Sequence, residues 1–133
     1  MDNTASAHAA ALWAGLHIVL LLVLSVLVVR LRQKHKIALG DEGIPELARA
    51  IRAFGNATEY VPAGLAALAV LAAVGAGALT IHVIGFILFA GRLLHAFGLS
   101  NSGGNSIPRA VGITLTWVAY IFAAVALLFS AIP

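Results

Sequence analysis

The sequence contains no cysteine, which excludes disulfides, thiolate metal sites and a protein thiol nucleophile. Any thiol chemistry would have to arrive with a substrate. Charge is almost as scarce. Asp, Glu, Lys and Arg make up 10% of the chain against 62% hydrophobic residues, with a mean hydropathy of +1.03, well outside the range of water-soluble domains. None of these four residue types occurs in residues 8–29, 60–91 or 110–133. A soluble surface needs its charges spread along the chain; here the gaps read as membrane spans. The first apolar run carries Asp2 where a cleavable leader would carry basic residues, and at about 22 residues it is long enough to cross a bilayer and be retained.

What charge there is leans basic, with a formal net charge of +3. The basic residues sit beside apolar runs with no aromatic interleaving, so they point to interface and topology rather than to nucleic acid. A hydrocarbon core about 30 Å thick needs about 20 helical residues. The chain therefore divides into a single all-α domain over 1–133, an integral membrane four-helix bundle with helices at about 8–30, 45–77, 79–99 and 108–132. The basic segment Arg30, Arg32, Lys34 and Lys36 ends the first helix, and Pro45 and Pro108 suit the first turns of the second and fourth, where a missing N–H costs nothing. A tight turn at Gly75 to Gly77 and the run SNSGGNS at 100–106 separate the others. Lys and Arg concentrate in the first and third loops, which places those loops in the cytoplasm and both termini outside.

The second helix changes character partway, from a polar first half into an apolar second half. Projected at about 100° per residue, Arg49, Arg52, Asn56, Glu59 and Tyr60 fall within an arc of roughly 100°. That is one polar face running toward membrane depth, and Pro62 frees the Thr58 carbonyl at the same level. A solvated amphipathic first turn would give the same pattern, but Asn56 and Glu59 lie close to the apolar half. On the third helix Arg92 and His95 share a face, with Arg92 about 10 Å inside the boundary. An arginine there must be paired or line a wet cavity, and Glu59 is the natural counter-ion. A purely structural Arg–Glu pair is an equally simple reading. His82 reads as interfacial, and His8 and His17 have no metal ligand at a recognisable spacing, so no metal site is expected. Arg30 or Arg32, Arg49, Arg52, Arg92 and Arg109 approach one end of the bundle. Such a cluster prefers an anion, and guanidinium groups grip carboxylates bidentately. Glutathione, with two carboxylates and one ammonium, has a matching charge pattern.

The run Arg52-x-x-x-Asn56-x-x-Glu59-Tyr60-x-Pro62, followed by GRLLHAFGLS with Arg92 and His95, resembles the MAPEG family, the membrane-associated proteins in eicosanoid and glutathione metabolism. The resemblance implies a homotrimer that binds glutathione between subunits near the cytoplasmic face. Arg49, Arg52, Asn56, Glu59 and Tyr60 would hold the peptide from one side, Arg92 and His95 from the other, and Arg30 or Arg32 would come from a neighbour. Arg109 would stabilise the thiolate, since an arginine within about 4–6 Å lowers a thiol pKa of about 8.5 by 1–3 units. An apolar second substrate, an electrophile or a lipid hydroperoxide, would reach it laterally from the lipid. Leu99 and Ala110 stand where the lipid-mediator branches carry a tyrosine and a serine, which favours a general glutathione transferase or peroxidase. Two other classes fit the same residues: a non-catalytic assembly protein, and a small transporter with an intramembrane Arg/Glu/His relay.

Overall fold

The structure is a computed structural model that describes residues 3–132. Four helices follow in order: α1 (Asn3–His35), α2 (Pro45–Ala73), α3 (Ala78–Asn101) and α4 (Ile107–Ser130), with no strand among the described residues. α2 and α3 form the middle of the bundle; α1 packs on both, α4 packs on both, and α1 and α4 do not touch. α1, α3 and α4 are each long and apolar enough to cross a membrane. Their outward faces carry residues such as Leu22, Phe86 and Ile121, an apolar surface that lipid solvates and water does not. This is a membrane protein.

α2 is less apolar than the other three helices. Its apolar portion, residues 60–73, covers only about 21 Å at 1.5 Å per residue, less than a hydrocarbon core of about 30 Å. The remainder of its length is the polar half, which packs inward through Leu47, Ala53 and Ala57 and carries the buried Asn56.

Helix ends explain the other differences. α2 stops at Ala73 rather than at 77. Gly75 adopts φ +83°, its N–H donates to Ala72 O and that of Ala76 donates to Leu71 O, which is a Schellman closure with glycine at its left-handed position. α1 closes in the same way but five residues later than the sequence suggests: Ile37 N–H donates to Arg32 O at 3.0 Å, and the left-handed residue is Lys36, φ +58°. No glycine marks that stop, so the basic segment stays helical. Burial of Ile37 against Val28 and Leu47 offsets the strain at Lys36. Lys36→Gly should therefore stabilise the chain by about 1 kcal/mol, read as a raised midpoint in thermal melting in detergent.

The first loop is pinned from both sides. Glu46, in the first turn of α2, accepts from Lys34 Nζ at 2.8 Å and bonds His35 Nε2 at 2.5 Å. The Lys34 hydrogen bond, and then that of His35, hold the Glu46 carboxyl below its ordinary value. A depressed folded pKa contributes stability above the unfolded value and loses it as pH falls through the folded one. The clamp should be intact at neutral pH and open on acidification below about 4.3, seen as falling hydrogen-exchange protection of residues 36–44, with Glu46→Gln insensitive to that change.

α3 and α4 approach closely over small residues. A Cβ on Gly91 would lie 2.9 Å from Gly112 O, and one on Gly98 would lie 2.6 Å from Arg109 N. This contact sets the first turn of α4, and hence Arg109, directly against the α3 face that carries His95.

Candidate functional site

The polar arc of α2 does face the bundle, but only its centre is buried. Asn56 is buried, Arg49 and Tyr60 are half-buried, and Arg52 and Glu59 are exposed. Facing it across a cleft of about 490 Å3 stand His95 and Leu99 from α3, and Arg109, Ala110 and Ile113 from α4; Arg52, Asn56 and Tyr60 form the α2 wall, and Asn105 and Ser106 close the end. Five of the anticipated residues, Arg52, Asn56, Tyr60, His95 and Arg109, thus border one space. Arg49 lies in an adjoining cleft of about 400 Å3 that shares Arg52, Leu99 and Arg109 with the first, and its Nε donates to Ser100 O at 3.3 Å.

The expected Arg92–Glu59 pair does not form. Glu59 accepts from Arg52 Nη1 at 2.9 Å, both side chains being more than half exposed, so the pair adds at most about 1 kcal/mol. Arg52 and Glu59 lie two turns apart on the same edge of the arc, which is why they meet. Arg92 stands behind the cleft wall, 1% exposed. Its Nε donates to Thr116 Oγ1 at 2.9 Å and its Nη1 to Asn56 Oδ1 at 2.7 Å, and its guanidinium lies over the Tyr60 ring, 4.9 Å from the centroid. All three partners are neutral. Tyr120 secures the arrangement by donating its hydroxyl to Tyr60 O. A buried guanidinium without an acid costs several kcal/mol, so the hydrogen bonds and the ring face offset a penalty that no carboxylate among the described residues relieves.

His95 Nδ1 lies 3.0 Å from Arg109 O. A carbonyl only accepts, so the proton belongs on Nδ1 and Nε2 is left as an acceptor. The Arg109 side chain is loosely held, with Nη1 3.4 Å from Gly104 O. Arg32 donates from Nη1 to Gly40 O at 2.9 Å and lines a shallow groove at the end of α1 with Lys36; Arg30 is exposed there. Neither reaches the cleft within this chain.

Thr116 and Tyr120 are functional neighbours that sequence reasoning missed. Arg109, Thr116 and Tyr120 recur at seven and four residues, a polar stripe on one face of an otherwise apolar helix, and that spacing was the available signal.

Comparisons with known proteins agree with this architecture. The sequence profile described as the MAPEG family matches residues 10–129. Two relatives, the proteins named Inner membrane protein YecN of Escherichia coli strain K12 and of Escherichia coli O6:H1 strain CFT073, are each 39% identical over 111 residues, covering 84% of this chain and 83% of theirs. With a match over most of its length and the four-helix membrane fold to go with it, the chain belongs to the MAPEG family.

Proposed function

We propose that this protein is a glutathione-dependent membrane enzyme, a transferase or peroxidase that brings glutathione to apolar electrophiles or lipid hydroperoxides. The observation that carries this reading is a charge imbalance. Arg52 and Arg109 border the cleft, Arg49 adjoins it and Arg92 backs it, while the one acid on these faces, Glu59, is already bonded to Arg52. An anionic guest with more than one carboxylate suits such a wall, and Glu59 at its edge suits an ammonium. The residues present therefore fit glutathione.

Arg49 and Arg52 would hold carboxylates, with Asn56 and Tyr60 kept in place by Arg92 beneath them. Glutathione would supply the thiolate that the cysteine-free chain lacks. Arg109 stabilises negative charge at the cleft mouth but cannot take a proton; His95 Nε2, an acceptor lining the same space, can. The long apolar faces of α1, α3 and α4 let a lipid-soluble second substrate approach from the bilayer. Arg30 and Arg32 reach a cleft only if a neighbouring copy offers its own, as a homotrimer would, and the basic loops favour a cytoplasmic site with both termini outside.

The purified protein in detergent should release or absorb heat on titration with glutathione and develop the ultraviolet absorbance of a thiolate. A flat titration and no thiolate band would leave the enzyme reading without support. A proton relay through the bundle is less well served: its acid, Glu59, is more than half exposed and bonded to Arg52, and the buried Arg92 has only neutral partners.

A further inference from the structure

Two nitrogen atoms deep in the bundle lack a partner, His17 Nε2 and Arg92 Nη2. Neither belongs to the cleft, and both side chains are closed off from the surface, His17 at 0% exposed and Arg92 at 1%. Orphaned polar atoms at such depth are rare and call for a physical partner.

Their needs are complementary. His17 Nδ1 lies 2.6 Å from Trp13 O; the carbonyl can only accept, so the ring carries its proton on Nδ1 and offers a lone pair at Nε2. Arg92 commits Nε to Thr116 and Nη1 to Asn56, and Nη2 retains N–H groups to give. One atom wants a donor and the other wants an acceptor.

Their positions agree as well. α1 and α3 run side by side in the same direction: Trp13 covers Gly85, the His17 ring lies 5.2 Å from the Phe89 ring, and Leu20 and Leu24 cluster with Ala96. Arg92 is one turn beyond Phe89, about 4.5 Å along the axis. Long helical side chains lean toward the helix N-terminus, which brings the guanidinium back toward the level of His17.

We propose that one buried water molecule joins the two, accepting a hydrogen bond from Arg92 Nη2 and donating one to His17 Nε2. A simple anion does not fit, because it would face the imidazole lone pair with nothing to donate. Water satisfies both sides, as buried waters do for groups left over from direct bonding. His17 then acts as a positioning residue. It completes the third side of the Arg92 guanidinium, and through that group it fixes Asn56 and Tyr60, which form the cleft wall, without touching the cleft. This holds whatever the cleft binds.

The test is nitrogen NMR of the full chain in detergent or nanodiscs, labelled with 15N at histidine and arginine. His17 should be neutral with its proton on Nδ1, its Nε2 resonance at the hydrogen-bonded rather than the free position, and cross-relaxing with a water distinct from bulk. Arg92 should show separate Nη1 and Nη2 resonances. In His17→Leu, rotation of the Arg92 guanidinium should accelerate at least about tenfold. His17→Gln, whose amide can both donate to Trp13 O and accept, should restore the slow rotation. A proton on His17 Nε2, a free lone-pair shift, a hydrogen-bonded Nε2 with no water cross-peak, or Arg92 resonances indifferent to His17→Leu would each overturn the proposal. The wild-type spectrum decides the matter even if the leucine variant fails to fold.

Discussion

Arg52→Ala should weaken glutathione binding about a hundredfold, the scale of a lost charge-assisted bidentate contact, while the melting temperature moves little. Arg52 is the α2 cation common to both adjoining clefts, so a ligand with carboxylates at its two ends meets it wherever it lies. Its present partner does not compete strongly. The Arg52–Glu59 bond is more than half exposed on both sides, and a pair of that kind contributes at most about 1 kcal/mol, so an incoming carboxylate can displace or share it. Arg52→Lys keeps the charge but not the fork, and should recover only part of the loss. Calorimetric titration of the three proteins, with thermal melts alongside, measures both quantities. Equal affinity of wild type and Arg52→Ala would remove the anion grip from α2.

The sequence made the bundle and the starts of α2, α3 and α4 readable because those features have local causes, whereas α1 begins at Asn3, five residues before its expected start. Charge gaps mark apolar helices, and Pro45 and Pro108 fall in first turns. The end of α1 was not readable, since it depends on a lysine held in a left-handed conformation by the distant burial of Ile37. The polar arc of α2 was visible as an arc, but an arc does not tell which residue sits at its centre. Asn56 does, so it is the one that meets Arg92, while Glu59 lies at the edge and turns to Arg52. The counter-ion expected for Arg92 was thus assigned by charge, whereas the fold assigned it three neutral partners from two helices. Thr116 entered that set because Gly91 and Gly112 let α3 and α4 pack backbone to backbone, a distance that no composition rule measures.

The same close packing separates two roles within Arg109, and this makes Arg109→Ala the sharper functional test. Its carbonyl holds His95, and its neighbourhood is fixed by Gly98, on which a Cβ would lie 2.6 Å from Arg109 N. Neither depends on the side chain. Truncation therefore leaves the wall standing and removes only a guanidinium that is weakly tied to Gly104 O. If that group stabilises a bound thiolate, the apparent thiol pKa should return toward about 8.5, a rise of 1–3 units and a loss of about 8- to 30-fold in thiolate at neutral pH. Glutathione affinity should fall much less, because the carboxylates are held on α2. Part of the stabilisation should survive, since Arg109 sits in the first turn of α4, where the helix N-terminus favours negative charge on its own. A pH titration of the ultraviolet thiolate band at saturating glutathione reads the shift directly. An unchanged midpoint in Arg109→Ala would transfer the role to that helix terminus, and a binding loss as large as that of Arg52→Ala would make Arg109 part of the grip instead.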